Sequence, residues 1–394
     1  MKEKKRRNIV KVVIYLFIVI GSMIAVNRIA KTNVTLRMQS LKESDVKEET
    51  VIEQDQIQEA GSFGKSKKEI HGIYYSTSKI SSSEKVDQII KSMQGTKINA
   101  VVIDVKNDYG QITFAMDHEL AKSANAVTNQ IMNIEQIINQ FHQHGIYVIG
   151  RVVAFRDHVF TSKYPQHAIK CKDGTLLKDR AGDLWLNPYH KKCWKYLVDI
   201  GICAAKLGFD EIQFDYIRFS TEATTDRIDF GVDTSQYPKT QVITDFVKYA
   251  VNKLHEYDVN VSADVFGAII NSKVDSEIVG QDYVELCRYL DYICPMIYPS
   301  HYANGCYGID VPDLEPYQLI YEVLNDSVEV LGRIHPNYHC AKVRPWLQDF
   351  TASWKKKYQK YGITQVREQI KGVYDAGYSQ WLLWNSSGKY SELK

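Results

Sequence analysis

The sequence predicts an α/β protein built on a (β/α)8 TIM barrel, preceded by an N-terminal transmembrane helix and a polar stalk. Three observations predict this architecture. From Ile70 onward, eight short apolar β-rich runs alternate with amphipathic helical stretches. A basic N-terminus leads directly into an apolar segment. Between that segment and the first β-rich run, the chain is polar and mixed in charge.

The N-terminal segment has the pattern of a membrane anchor. Lysine and arginine are concentrated in residues 1–11, and the stretch from Ile9 to Val26 is almost wholly apolar and about one bilayer crossing long. The positive-inside rule keeps the basic tip cytoplasmic and sends the chain after Val26 outward. We therefore expect a single-pass cell-membrane protein with an extracytoplasmic C-terminal domain. The alternative is secretion after signal cleavage, although Asn27 and Arg28 follow the apolar run and give no small-x-small cleavage site.

Composition divides the chain into three parts. Residues 1–30 form the basic tip and the expected anchor, and residues 31–68 have little to bury and are expected to be a flexible linker. Residues 69–394 form the expected barrel domain. The net charge of +2, with much of the basic charge at the N-terminus, gives no reason to expect a nucleic-acid partner. The 7 cysteines show no CxxC or paired spacing, so we expect no metal site, and we expect no cofactor.

The eight β-rich runs are the predicted barrel strands. They are Ile70–Ser76, Ala100–Lys106, Tyr147–Phe155, Glu211–Phe219, Val261–Gly267, Tyr292–Ser300, Val343–Phe350 and Gln380–Ser387. The intervening amphipathic stretches predict helices through Val86–Met93, Ile131–His144, Cys193–Leu207, Ile243–His255 and Thr364–Ala376. Glycines that stop helices follow two of them, Gly145 and Gly208. A doubly wound sheet is the alternative, but no Gly-rich phosphate-binding fingerprint follows any strand.

Acidic residues recur at or near the carboxyl ends of these strands, where barrel enzymes hold their active sites. They are Asp104, Asp215, Asp264 and Asp349 on the second, fourth, fifth and seventh strands. A single aspartate there is readily explained as a helix cap or a loop salt bridge. Several such acids in one barrel indicate an enzyme that uses carboxylates. Asp215 and Asp264, on adjacent strands, could supply the two carboxylates that cleavage of a glycosidic bond requires.

Other side chains near the strand ends are candidates for contacts with a sugar. Arg218 could clamp an anion or keep a catalytic carboxylate ionised, whereas Arg151 is interpreted as a structural ion-pair partner. Tyr298 and His301 follow the sixth strand and could hydrogen-bond sugar hydroxyls, although a structural role for His301 is equally open. A stacking floor for a sugar is expected from one of the strand tryptophans Trp346, Trp381 and Trp384.

Several long motifs occur in a fixed order between about Ile70 and Tyr390. They read AVVIDVKNDYG, DRAGDLWLNPY, GFDEIQFDYIRFS, SADVFG, YICPMIYPSHY, RPWLQDF and WLLWN. Together they resemble a bacterial family of glycoside-hydrolase-type barrels, which is similar at a distance to the α-amylase-type (β/α)8 barrels. The resemblance implies that Asp215 is the nucleophile, Asp264 the acid/base and Asp349 a transition-state stabiliser. The substrate contacts expected with them are Asp104, Arg218, Tyr298, His301, Trp346, Trp384 and Asn385.

Two positions depart from the pattern that the resemblance implies. The acid of the fifth strand is usually Glu in amylase relatives, and here it is the shorter Asp264. The family commonly reads RFP after the fourth strand, whereas this chain has Ser220 after Arg218 and Phe219. Asp264 in place of Glu affects which residue is assigned as the general acid. Ser220 in place of Pro affects the loop of residues 221–240 and hence the choice of substrate.

The function expected from the strand-end acids, the resemblance and the exported location is that of a retaining glycoside hydrolase. Its substrate would be a cell-surface or extracellular polysaccharide or oligosaccharide. Asp264 would protonate the leaving oxygen while Asp215 attacks the anomeric carbon. One alternative is a catalytically inactive carbohydrate-binding barrel that takes part in surface glycan assembly. A metal-dependent deacetylase is a further alternative, against which the lack of a compact His/Asp motif speaks.

Overall fold

Eight parallel strands close into a barrel in this computed structural model, which describes residues 69–224 and 226–391. They are β1 (His71–Tyr75), β2 (Ala100–Lys106), β3 (Tyr147–Val153), β4 (Glu211–Asp215), β5 (Asn260–Phe266), β6 (Tyr292–Met296), β7 (Trp346–Gln348) and β8 (Trp381–Trp384). Each strand pairs in parallel with the next, and β1 also pairs with β8. This closure confirms the predicted barrel and excludes the doubly wound sheet, which is open.

Several predicted strands continue too far at their carboxyl ends. The fourth was expected to reach Phe219, but β4 ends at Asp215 because Tyr216 has a φ of 52°, in the left-handed region. The third, sixth, seventh and eighth strands also end before the expected residue. Apolar residues that follow a strand, such as Phe219, are buried in the loops that cover the barrel, so an apolar run alone overestimates strand length.

Helices surround the barrel and bury one apolar face each. The long ones are α1 (Ser83–Met93), α2 (Ile134–Gln143), α3 (Lys191–Lys206), α4 (Lys239–His255), α5 (Pro316–Leu331) and α6 (Ile363–Asp375). Shorter helices span Glu119–Ser123, His158–Lys163, Lys273–Val279 and Tyr283–Cys287. The five predicted helices correspond to α1–α4 and α6, and α5 was not predicted. In α2 the buried residues are Ile134, Ile137, Ile138 and Phe141, the spacing of one helical face.

Small strands extend the sheet beyond the eight barrel strands or join its loops. Ile112–Phe114, which follows β2, pairs with β2 and with Val127–Ile131. Lys342–Val343, which precedes β7, pairs with the amino end of β6. After β3, the segment Lys170–Cys171 pairs antiparallel with Ile228–Asp229, which follows β4. The long loops after β3 and β4 are thereby joined to each other beside the opening of the barrel.

Alternate residues of β4 point into the barrel. Glu211 accepts hydrogen bonds from Arg344 and from the Ser262 hydroxyl, and the Gln213 amide lies 3.4 Å from the Cys294 sulfur. Asp215 shares this face, whereas Phe214 packs outward against Phe246 of α4. The inward face of β4 therefore carries Glu211, Gln213 and Asp215, and Asp215 lies at the carboxyl end of the barrel interior.

The expected membrane anchor (residues 1–30) and linker (residues 31–68) lie outside the described residues. Within residues 69–224 and 226–391, no helix is both long and apolar enough to cross a bilayer.

Candidate active site

A cavity of about 440 Å³ opens at the carboxyl ends of the barrel strands. Its wall contains the acids Asp108, Asp215 and Asp264 and the arginines Arg151, Arg156 and Arg218. The remaining lining residues are apolar or aromatic, and they are Tyr216, Phe266, Met296, Tyr298, Trp346 and Trp384. Such a cleft, with a few convergent charged groups on an apolar wall, is the usual form of a small-molecule or glycan site.

Arg151, on β3, holds the acidic residues of the cavity together. Its Nε and Nη2 atoms donate to Asp215 Oδ2 at 2.9 and 2.7 Å, and Nη1 donates to Asp104 Oδ1 at 2.7 Å. Nη2 also contacts Asp108 Oδ1 at 3.1 Å. Burial opposes the charge of Arg151, but the surrounding carboxylates raise its pKa well above the usual value. The guanidinium is thus a permanent cation that fixes the orientation of Asp215.

Asp215 is held by the backbone as well as by Arg151. Its Oδ1 atom accepts the amide of Tyr216 at 2.6 Å. Tyr216 is a non-glycine residue in the left-handed region, a conformation that costs about 1 kcal/mol or more and that occurs preferentially at functional sites. Arg151 binds Oδ2 of Asp215, and the amide of the strained Tyr216 binds Oδ1. The carboxylate of Asp215 therefore has little freedom to rotate.

Asp264, on β5, has a different environment. Its Oδ1 atom accepts the indole Nε1–H of Trp346 at 2.6 Å, and the residue is buried. Burial and, second, the negative charge of Asp215 raise the pKa of Asp264 well above its usual value, and the Trp346 hydrogen bond opposes that shift. The site therefore pairs one carboxylate in an ion pair with one carboxyl group whose pKa is raised. Two acids whose environments differ in this way can divide the roles of base or nucleophile and acid.

Replacing Trp346 with Phe tests the environment of Asp264. The variant loses the indole donor that stabilises the carboxylate, so the pKa of Asp264 rises further. If Asp264 is the general acid, the basic limb of the pH profile of kcat/KM moves to higher pH. Trp384→Phe is the matched control, because Trp384 lines the same cavity but makes no hydrogen bond with Asp264 among the described residues. A basic limb that stays in place or moves to lower pH in Trp346→Phe contradicts the expectation.

The structure brings together most of the residues that the sequence predicted. Asp215, Asp264, Arg218, Tyr298, Trp346 and Trp384 all line the cavity. Trp346 is buried and holds Asp264, whereas Trp384 is partly exposed, stacks on Tyr74 with ring centroids 4.3 Å apart and is the better candidate for a sugar platform. Arg151 is an ion-pair partner, as interpreted from the sequence.

Two predicted substrate contacts lie beside or behind the cavity wall. Both oxygens of Asp104 are engaged, Oδ1 by Arg151 and Oδ2 by the Tyr74 hydroxyl at 2.6 Å, so Asp104 positions Arg151 and does not face the cavity. His301 is exposed, and its ring lies 5.4 Å from that of Tyr298 and 6.3 Å from that of Trp354. His301 therefore belongs to an aromatic group beside the cavity.

Asp349 and Asn385 are not brought to the cavity. Asp349 accepts hydrogen bonds from the amide and the hydroxyl of Ser391 at 2.7 and 2.8 Å. Asn385 donates to the carbonyl of Lys389 at 2.7 Å and accepts the amide of Ser387 at 2.9 Å. Trp346, at the start of β7, lines the cavity, whereas Asp349, which follows the end of β7, does not. Both residues order the segment after β8, and their expected stabiliser and contact roles stay predictions.

Several residues of the site were not predicted. Asp108 is the most informative, because it is the third carboxylate of the Arg151 cluster and lies in the same AVVIDVKNDYG motif as Asp104. Attention to acids just beyond a strand end, as well as on it, would have found Asp108. Arg156, which follows β3, and Tyr216 also line the cavity. Arg156 pairs with Asp183 and with Asp179, so acids of the loop after β3 hold Arg156 at the cavity wall.

Within the described part of the chain, one side-chain group could hold a metal ion. Ligand atoms of His167, His190 and Cys193 lie within 4.8 Å of one another. Nδ1 of His190 is buried and has no hydrogen-bond partner. These residues do not line the cavity, and a metal there would link the loop after β3 to the start of α3. The expectation of no metal site rested on cysteine spacing and on the lack of a compact His/Asp motif, and a group assembled from separate segments has no such pattern.

Residues 72–390 match a family model described as "Putative glycosyl hydrolase domain". No match was found among curated proteins. Among solved structures, a hypothetical protein from Ruminiclostridium thermocellum ATCC 27405 is 34% identical, with 49% of this chain and 97% of that chain aligned and a TM-score of 0.45.

Two further solved structures share the fold at low sequence identity. The PgaB (BpsB) glycoside hydrolase domain from Bordetella bronchiseptica is 13% identical, with a TM-score of 0.60 over 82% of this chain and 95% of that chain. The endo-1,4-β-D-mannanase from Thermotoga petrophila RKU-1 is also 13% identical, with a TM-score of 0.51 over 82% of this chain and 93% of that chain. Both comparisons support the barrel architecture, and neither transfers a substrate.

Proposed function

Since the chain belongs to the glycosyl hydrolase domain family whose model it matches, we propose that it is a retaining glycoside hydrolase acting on a cell-surface or extracellular polysaccharide. The observation that carries the proposal is the pair formed by Asp215 and Asp264 in one cavity. Asp215 is ion-paired with Arg151, and the pKa of Asp264 is raised by burial and by the charge of Asp215. Glycoside hydrolysis requires one ionised and one protonated carboxyl group on the two sides of the scissile bond.

In the proposed mechanism, Asp264 transfers its proton to the glycosidic oxygen as the bond to the anomeric carbon breaks. Asp215 attacks that carbon and forms a covalent glycosyl-enzyme. The Asp264 carboxylate then removes a proton from a water molecule, which attacks the same carbon and releases Asp215. In the glycosyl-enzyme, Asp264 is stable as a carboxylate, because the esterified Asp215 no longer carries the negative charge that raised the pKa of Asp264.

Arg151 and the aromatic wall support this mechanism without taking part in bond breaking. Arg151 keeps Oδ2 of Asp215 in place, so the attack begins from a fixed geometry. Trp384 and Tyr298 provide apolar faces against which a sugar ring can pack. Beyond Tyr298, the indole of Trp354 is 67% exposed and stacks on Phe350. A glycan longer than the cavity would contact the exposed ring of Trp354.

The proposed location of the substrate rests on the N-terminal sequence. The basic tip and the apolar stretch from Ile9 to Val26 favour a single-pass cell-membrane protein whose barrel is extracytoplasmic. Secretion after cleavage would place the barrel outside the cytoplasm as well. We therefore propose that the substrate is a surface or extracellular glycan and that the membrane is a partner through the anchor.

The test is hydrolysis of a panel of bacterial cell-wall and exopolysaccharide glycans by the full-length chain in detergent. Released reducing ends are quantified, and the anomeric configuration of the first product is read by NMR before mutarotation. We expect release from at least one glycan with retention of configuration. Inversion contradicts the retaining mechanism, and saturable binding without release from any glycan favours the inactive carbohydrate-binding barrel.

A further inference from the structure

Three arginines line the cavity, and their charges are not balanced in the same way. Arg151 contacts three aspartates, and Arg156 pairs with Asp183 and Asp179. For Arg218 no carboxylate lies within ion-pair distance among residues 69–224 and 226–391. Its hydrogen bond there runs from Nη1 to the carbonyl of Phe219 at 2.9 Å. Arg218 is therefore the cation in the cavity wall whose donor capacity is largely unused.

Aromatic rings fix the position of the Arg218 guanidinium. Its central carbon lies 4.5 Å from the ring centroid of Phe266, 4.9 Å from that of Trp185 and 5.0 Å from that of Tyr216. These cation–π contacts stabilise the charge in part, but they satisfy none of the N–H donors of the guanidinium. Burial lowers the pKa of Arg218, which remains a cation at any ordinary pH.

The acids nearest to Arg218 have partners or a raised pKa. Asp215 is ion-paired with Arg151, which also contacts Asp104 and Asp108. Burial and the charge of Asp215 raise the pKa of Asp264. Arg218 and Asp215 line the same cavity, so a group bound to Arg218 shares that cavity with the proposed nucleophile. A carboxylate matches the guanidinium edge because it can accept two parallel hydrogen bonds.

We infer, on the basis of the proposed function, that Arg218 binds the carboxylate of a uronic acid residue and that the substrate is an acidic polysaccharide. The carboxylate supplies the partner that Arg218 lacks among the described residues. A neutral glycan offers only hydroxyl acceptors, and hydrogen bonds to these are weaker than charge-assisted ones. Arg218 is thus a specificity-determining residue of the proposed hydrolase.

The inference is tested by binding to fragments of polygalacturonate, alginate and hyaluronan, each beside its carboxyl-reduced, neutral counterpart. The full-length Asp215→Asn protein is used so that turnover does not interfere. We expect at least one acidic fragment to bind about 10-fold or more tightly than its reduced counterpart by calorimetry. Arg218→Met should abolish this preference, because it weakens binding of the acidic fragment far more than binding of the reduced fragment.

Arg180→Met is the matched control, because it removes the same charge from a side chain that is 93% exposed and paired with Glu222. The Arg180→Met protein should still bind the acidic fragment more tightly than its reduced counterpart. If Arg218→Met does not fold, Arg218→Lys should reduce the preference, and raised salt should weaken acidic binding to the unsubstituted cavity. The inference is overturned if no acidic fragment binds more tightly than its reduced form, or if Arg218→Met weakens both forms equally.

The outcomes separate this inference from the proposed function. Hydrolysis of neutral glycans only, by the wild-type protein, leaves the hydrolase standing and overturns the role of Arg218. Preference for acidic fragments without hydrolysis of any glycan supports the role of Arg218 and contradicts the hydrolase.

Discussion

Replacing Asp215 with Asn reduces the rate of glycan hydrolysis by about 10³-fold or more while the protein keeps its fold. The amide has nearly the shape of the carboxylate but is a far weaker nucleophile, so the covalent step fails. The fold survives because Arg151 keeps its contacts with Asp104 and Asp108 and because the amide oxygen can still accept a hydrogen bond from Arg151. Initial rates of reducing-end release and the midpoint of thermal unfolding are measured on the same preparations.

Asp349→Asn is the informative control for Asp215→Asn. The resemblance to amylase-type barrels implies a catalytic role for Asp349, but its carboxylate is bound to Ser391 and does not line the cavity. We expect its rate to stay within a few-fold of the wild-type rate. Equal losses in the two variants would show that the C-terminal segment is rearranged in the working enzyme. An unchanged rate in Asp215→Asn would remove Asp215 from the mechanism.

The barrel was predictable because each strand is buried on both faces and therefore reads as a short apolar run. AVVIDVK coincides with β2 without any shift of its ends. The pairing of Lys170–Cys171 with Ile228–Asp229 was not predictable, because each partner is two residues long and the two are distant in sequence. Helix α5 was missed although Leu319, Ile320, Val323 and Leu324 are buried in it, so that pattern was present in the sequence.

The site was predictable where a carboxylate lies on the inward face of a strand. Asp215 and Asp264 satisfy this condition, and the face of β4 became certain only once Glu211 and Gln213 were seen to point inward. Asp349 follows the end of β7 and does not line the cavity, and counting strand-end acids does not distinguish the two cases. The contacts of Arg151 with three aspartates depend on side chains from β2, β4 and the loop after β2, and no local pattern encodes them.

Arg151→Met is expected to have the largest effect on stability. Methionine fills much of the same volume but leaves Asp104, Asp108 and Asp215 close together without a cation. Removing one partner of a buried ion pair costs about 3–5 kcal/mol. We expect a decrease of that size in the free energy of unfolding at pH 7, measured with urea. Arg156→Met is the control, and its decrease should be smaller because the side chain is 16% exposed and lies at the rim.

The pH dependence of the Arg151→Met effect identifies its cause. In the wild type, burial opposes ionisation of Asp108, but Arg151 outweighs it, and the pKa of Asp108 is lowered. Stability from such a lowered pKa is present above the unfolded value and is lost as the pH falls through the folded value. The loss caused by Arg151→Met should therefore be largest at neutral pH and shrink as the pH falls below about 5, where the carboxylates become protonated. Adding Asp215→Asn should restore part of the stability at pH 7, because one unpaired carboxylate is removed. A loss that is independent of pH would instead indicate that Arg151 stabilises the barrel through packing alone.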